Sequence, residues 1–120
     1  MLRTEPARPR VADVPRYASL LIEGLREAGV TIVTFLPESL LKGVYRQLPH
    51  EDGIRTIRVS NEAEMPGIVA GAYLGGKRGI MIMENSGIRQ ACEPIARFTM
   101  THQMPLVMIL AFRGDLGERN

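Results

Sequence analysis

Residues 58–76 have the sequence RVSNEAEMPGIVAGAYLGG. This segment reads as the end of a strand, a polar turn, and a helix rich in glycine and alanine that closes on two glycines. Small residues along a helix let a neighbouring backbone come close. The segment therefore predicts a helix whose two N-terminal carboxylates, Glu62 and Glu64, are held at a fixed place in the fold.

The start of this helix carries a capping pattern. Asn61 is a good N-cap residue, and Glu64 three residues later completes a capping box, which predicts that Glu64 reaches back to the Asn61 amide. Glu62 is then left over at the positive end of the helix dipole. Residues two apart on a helix point about 200° apart, so only one of the two glutamates can face a given ligand. From spacing alone Glu62 has two interpretations, dipole compensation and a functional carboxylate.

Composition limits the class of protein. A length of 120 residues indicates one domain, and 45% hydrophobic residues with few aromatics are typical of a globular protein with an aliphatic core. The net charge of +2 is mixed in sign, which argues against nucleic-acid binding. The sequence has no apolar run that predicts a membrane span and no signal segment. A lone Cys92 fits the reducing cytoplasm.

Strands and helices alternate along the chain. We expect residues 1–12 to be a flexible tail and residues 13–120 to form the domain, with Asp13 capping a first helix that stops at Gly29. The remaining predicted elements, in order, are a strand at 31–35, a helix after 37–39 ended by Pro49, an edge strand at 54–59, the helix within 58–76, a buried strand at 79–83, a helix at 90–101 with Pro94 in its first turn, and a buried strand at 105–112. This order predicts an α/β fold, a doubly wound parallel sheet with helices on both faces.

Polar clusters follow each predicted strand. They are Pro37-Glu38-Ser39, Asn61-Glu62, Glu84-Asn85-Ser86-Gly87 and Arg113-Gly114-Asp115. The carboxyl ends of parallel strands meet at one edge of a sheet, where ligands bind in doubly wound folds. We therefore expect a site at that edge. Residues 71–78 resemble a phosphate-binding loop but lack its Ser or Thr, and no His or Cys cluster predicts a metal site.

Together these motifs resemble the pyrimidine-binding domain of thiamine-diphosphate-dependent 2-oxo acid decarboxylases, most closely the sulfopyruvate decarboxylase alpha subunit and phosphonopyruvate decarboxylase. The resemblance runs from about residue 20 to residue 118. Its most specific parts are residues 37–42, Asn61-Glu62 with residues 70–74, Asn85-Ser86-Gly87, and residues 113–118.

The resemblance implies roles for individual residues. Glu62 would be the catalytic, cofactor-activating glutamate that hydrogen-bonds the aminopyrimidine ring. Cofactor contacts would come from Glu62, Pro37, Asn85, Ser86 and Gly87, and substrate-proximal positions would be Ser39, Glu84, Gln90 and Arg113. The implied activity is that of a cytoplasmic carboxy-lyase acting on a sulfopyruvate- or phosphonopyruvate-type 2-oxo acid.

The resemblance also implies a partner. The magnesium-holding Gly-Asp-Gly motif is missing, because Leu116 follows Gly114-Asp115. Mg²⁺ and the diphosphate of thiamine diphosphate would then be held by a beta subunit or domain, within a higher oligomer. No nucleic-acid or membrane partner is expected.

Two departures from the family keep alternatives open. Glu84 stands where the family has Gln, and its charge would repel an anionic substrate unless Arg89 or a partner's cation offsets it. The sequence also stops soon after its fourth predicted strand, where the family's domain continues with a further helix and strand, so we expect a truncated domain or a partial subunit. The alternatives are a non-catalytic binding or regulatory module of the same fold, and a subunit of a carboligating thiamine-dependent enzyme.

Overall fold

A computed structural model describes residues 15–114, which form four α-helices and four strands. The elements in chain order are α1 (Arg16–Glu27), β1 (Ile32–Phe35), α2 (Lys42–Gln47), β2 (Arg55–Arg58), α3 (Glu64–Leu74), β3 (Gly79–Glu84), α4 (Ile88–Ala96) and β4 (Val107–Ala111). The tail at 1–12, the Asp13 cap and Asp115 lie outside the described residues.

The four strands form one parallel sheet in the order β2-β1-β3-β4. The chain starts near the centre at β1, moves outward to β2, and then crosses back to β3 and β4. Phe35, the last residue of β1, pairs with Arg58 of β2 on one side and with Ile82 of β3 on the other. The strands therefore finish along the same side of the sheet, which we call its carboxyl edge. The prediction of a parallel α/β sheet with β2 at its edge is confirmed.

The sheet is covered on both faces. Val33, Phe35, Ile80 and Ile82 belong to a core shared with the buried side chains of α1 and α2. Met81 and Met83 point the other way, because side chains alternate along a strand, and pack with Met65 and Val69 of α3 in a second core. The long apolar run of β3 is explained by this position, since burial on both faces leaves no place for an alternating polar residue.

β4 differs from its prediction. We expected a buried strand at 105–112, yet Val107 is 57% exposed and Phe112, just beyond the strand, is 63% exposed. Among the described residues β4 pairs only with β3, so it is an edge strand. An apolar run alone does not distinguish an edge strand from a central strand, because it carries no information on neighbours.

The placement of Pro94 was also predicted wrongly. A 3₁₀ turn at Asn85–Gly87 leads straight from β3 into α4, so the helix begins at Ile88 and Pro94 lies in its interior. The helix then widens into a π-helical turn at Arg97–Thr101. There the Thr99 hydroxyl donates to the Ile95 carbonyl oxygen at 2.7 Å.

Two further features concern helix ends and helix length. α2 ends at Gln47, two residues before Pro49, in agreement with the predicted helix end, and Pro49 lies in the 3₁₀ turn Leu48–His50 that follows. Gly29 adopts a φ of 71° just after α1, in agreement with the predicted helix stop. None of the helices within residues 15–114 is both long and apolar enough to cross a lipid bilayer.

Candidate functional site

The loops that follow the strands meet at the carboxyl edge of the sheet. Side-chain contacts link the loop after β1 to the loop after β4, and the loop after β4 to the loop after β3. The turn before α3 packs against the loop after β3. The predicted convergence of four polar clusters is therefore present in the fold, as the parallel order of the strands requires.

Glu62 lies in the turn that precedes α3, and its carbonyl oxygen accepts a hydrogen bond from the Met65 amide at 3.2 Å. Its half-buried side chain packs directly against Gly87. A Cβ atom on Gly87 would lie 2.7 Å from both Cγ and Oε1 of Glu62, so a side chain at residue 87 would displace the carboxylate. The Glu62 carboxylate makes no hydrogen bond or ion pair with another residue of the range 15–114.

The capping box predicted for α3 is wrong. Asn61 Oδ1 accepts a hydrogen bond from the Ala63 amide at 2.8 Å, and Glu64 Oε1 accepts one from the Ser60 hydroxyl at 2.6 Å. The helix begins at Glu64, two residues later than a cap at Asn61 requires. Pro66 favours this later start, because a residue without an N–H group fits the first turn of a helix. Glu62, and not Glu64, is the carboxylate beside Gly87.

Glu84 and Arg113 form an ion pair across the ends of β3 and β4, with Arg113 Nε 2.8 Å from Glu84 Oε2. Arg113 Nη2 also donates to the Ser39 hydroxyl, and the Ser86 hydroxyl donates to Glu84 Oε1 at 2.7 Å. Arg89 instead donates from Nε to the Ser86 carbonyl oxygen at 3.4 Å. The counter-ion of Glu84 is therefore Arg113.

Asn85 holds the two loops of this ion pair in place. Its Oδ1 accepts a hydrogen bond from the Arg113 amide, and its Nδ2 donates to the Arg113 carbonyl oxygen, both at 3.0 Å. This pair of bonds between a side chain and a backbone fixes the distance between the ends of β3 and β4. The Asn85–Gly87 turn thus contacts Arg113 at its first residue and Glu62 at its last.

Glu38 was expected only as part of the polar cluster Pro37-Glu38-Ser39, and its role as a cap of backbone amides was not predicted. Its carboxylate accepts hydrogen bonds from the amides of Leu40 and Leu41 at 2.5 and 2.6 Å, and the Tyr45 hydroxyl donates to it at 3.4 Å. Burial, together with the negative charge of Glu38 and the hydrogen bond to it, raises the pKa of Tyr45 above its ordinary value of 10.0. The signal in the sequence was an acidic residue just before an apolar helix, a common capping arrangement.

Two predicted site residues lie at the margin of this cluster. Pro37 is exposed in the loop after β1, and Gln90 is exposed in the first turn of α4. Gln90 makes no side-chain hydrogen bond with another described residue. The structure therefore brings together Ser39, Glu62, Glu84, Asn85, Ser86, Gly87 and Arg113, and leaves Pro37 and Gln90 beside them.

The two cavities described next lie away from the polar cluster at the carboxyl edge. Cavities of about 400 and 470 Å³ open at the amino ends of the strands, the first beside Val107 and the second beside Thr31, and none of the predicted site residues lines them. Residues 15–114 contain no group of three or more His, Cys, Asp or Glu side chains that could hold a metal ion.

Comparison with known proteins matches residues 15–114 to the family described as "Thiamine pyrophosphate enzyme, N-terminal TPP binding domain". The chain is 34% identical over 97 residues to the sulfopyruvate decarboxylase subunit alpha of Methanococcus maripaludis, and 33% identical over 104 residues to that of Methanocaldococcus jannaschii. It is 33% identical over 103 residues to the phosphonopyruvate decarboxylase of Streptomyces viridochromogenes.

These alignments cover most of this chain but only part of each relative. They take in 81%, 87% and 86% of the chain, in the same order. They take in 58% and 62% of the two alpha subunits and 26% of the phosphonopyruvate decarboxylase. The similarity therefore concerns one domain of larger proteins.

Proposed function

Because this chain belongs to the thiamine pyrophosphate enzyme family, through its N-terminal TPP-binding domain, we propose that it supplies the pyrimidine-binding part of a decarboxylase of 2-oxo acids. The enzyme would be a carboxy-lyase that works as a complex. Its substrate would be a short 2-oxo acid, the class of compound to which the sulfopyruvate and phosphonopyruvate in the names of the relatives belong. We place the complex in the cytoplasm, in keeping with the lone Cys92.

The observation that supports this proposal is the position of Glu62. A half-buried carboxylate without a side-chain partner in the described part of the chain is costly to keep, unless a ligand completes its hydrogen bonding. It lies against Gly87, where the lack of a Cβ atom leaves room for the carboxylate. A single carboxyl group without a side-chain partner among residues 15–114 fits one ring nitrogen of an aminopyrimidine, with which it can share a proton.

Thiamine diphosphate, when bound, supplies the carbon nucleophile and the electron sink that decarboxylation requires. This chain would contribute one proton-sharing side chain and the residues that position it. Glu62 would share a proton with the ring nitrogen and so promote the imino form of the aminopyrimidine. The Asn85–Gly87 turn would hold Glu62 in place and line the wall of the cofactor site, with Pro37 at its margin.

We assign the diphosphate and Mg²⁺ to a partner. Mg²⁺ prefers carboxylate and carbonyl oxygens together with phosphate oxygens. The carboxylates at the carboxyl edge already have other roles, since Glu38 binds backbone amides and Glu84 pairs with Arg113. The name "subunit alpha" carried by the relatives supports a second, diphosphate-binding chain, and with it an active site at the interface of a higher oligomer.

Calorimetry tests this division of labour. The isolated chain should not bind thiamine diphosphate tightly in the presence of Mg²⁺, whereas the complex co-purified with its partner should bind it and release CO₂ from a 2-oxo acid. Tight, magnesium-dependent binding by the chain alone would contradict the assignment of the diphosphate to a partner. A complex that binds the cofactor without turnover would favour a regulatory module.

A further inference from the structure

The ion pair between Glu84 and Arg113 points to a property of the substrate that the family assignment does not contain. Both side chains are partly buried, with 27% and 23% of their surface exposed. Charges in such a position interact more strongly than charges in water, because less solvent screens them. They lie at the carboxyl edge, next to the turn that holds Gly87 against Glu62.

We propose that the Glu84–Arg113 pair sets the charge selectivity of the site at the carboxyl edge of the sheet, so that 2-oxo acids with an uncharged tail are preferred over those with a sulfonate or phosphonate tail. This inference rests on the proposed function and names the substrate class of the same site. An anionic tail needs a cationic side chain as its partner, and Arg113 already has Glu84 as its counter-ion at 2.8 Å. To bind Arg113, a sulfonate would have to displace a carboxylate that the protein holds in place.

The surrounding contacts make that displacement unfavourable. Ser86 donates to the other oxygen of Glu84, so both carboxylate oxygens are occupied. The two hydrogen bonds of Asn85 fix the backbone of Arg113 opposite Glu84. An anion that enters must therefore break an ion pair and leave Glu84 as a repulsive charge nearby.

The test compares variants of this pair in the co-purified complex. Glu84→Gln keeps the size of the side chain and removes its charge, so the ratio of kcat/KM for an anionic-tail substrate to that for an uncharged-tail substrate should rise by about tenfold or more. Arg113→Gln leaves Glu84 without its counter-ion and should lower the same ratio. Glu93→Gln, which removes the exposed ion pair with Arg97 on α4, is the matched control and should leave the ratio unchanged.

A binding measurement separates this inference from the proposed function. Propanoate and 3-sulfopropanoate lack the 2-oxo group and cannot react, and their affinities for the complex, measured by calorimetry, should show the same opposite shifts in the two variants. If no 2-oxo acid is decarboxylated but these shifts appear, the proposed function fails and the charge selectivity stands. If Glu84→Gln changes neither ratio relative to Glu93→Gln, or if neither analogue binds, the inference is overturned.

Discussion

Glu38 and Glu62 stand at the same edge of the sheet, yet their carboxylates have different surroundings. The Glu38 carboxylate accepts hydrogen bonds from two backbone amides just before α2 and from the Tyr45 hydroxyl. The Glu62 carboxylate has no side-chain partner among residues 15–114 and lies against Gly87. The difference teaches that a glutamate beside a helix start can be a structural cap or an available functional group, and its contacts decide which.

The largest expected effect comes from removing the charge of Glu62. In the co-purified complex, Glu62→Gln should slow decarboxylation by about 10²–10⁴-fold, the range for loss of a positioned proton-transfer group. Its melting temperature should stay close to that of the wild type, since no hydrogen bond within the described chain is lost. Glu38→Gln is the matched control and should keep most of the turnover. Equal losses of rate in the two variants would remove the distinction between the two glutamates.

The next largest effect on turnover should come from displacing the Glu62 carboxylate with a side chain at residue 87. Gly87→Ala puts a Cβ atom where Cγ and Oε1 of Glu62 now lie, so the carboxylate must move. The side chain of Glu62 is flexible, and we expect little change in melting temperature but a loss of turnover of up to about 10²-fold, as for a misplaced catalytic group. Gly71→Ala on α3, where an added Cβ meets no atom within 4 Å, is the control and should not slow the enzyme. Normal turnover in Gly87→Ala would show that the contact with Glu62 is unimportant.

A smaller effect, on stability, should appear at the other glutamate. Glu38→Ala removes the acceptor of the Leu40 and Leu41 amides, and the free energy of unfolding should fall by about 0.5–2 kcal/mol, the usual range for a lost cap. Urea denaturation of the isolated chain measures it. Glu64→Ala loses only an exposed hydrogen bond to Ser60 and should cost less. A greater loss in Glu64→Ala than in Glu38→Ala would mean that the cap had been assigned to the wrong residue.

The smallest effect is a dependence of stability on pH at Tyr45, which is partly buried beside Glu38. Burial first, and the charge of Glu38 second, raise the pKa of Tyr45 in the folded chain, so the folded state keeps a proton that the unfolded state releases near the ordinary value of 10.0. The stability contributed by this group is therefore complete below that pH and is lost as the pH rises above it. Urea denaturation at increasing alkaline pH should show a steeper fall for the wild type than for Tyr45→Phe. Parallel curves for Tyr45→Phe and the wild type would indicate that Tyr45 titrates as it does in the unfolded chain.

Much of the site could be predicted from the sequence, because its residues follow strands. Parallel strands bring their carboxyl ends to one edge, so Ser39, Glu62, residues 84–87 and Arg113 had to lie near one another once the strands were recognised. Pairwise contacts were harder to predict. Arg89 or a cation of the partner was expected to offset the charge of Glu84, but Arg113 takes that role from the loop after β4.

The sequence by itself determined the alternation of helices and strands, the parallel sheet and the edge where polar residues gather, because these depend on local periodicity and on the direction of the chain. Only the tertiary structure decided that β4 is an exposed edge strand and that Pro94 lies inside α4. It also decided that Gly87 lies against Glu62. Such features depend on which segments become neighbours in space, and residues far apart in the chain carry no local pattern that specifies their contact.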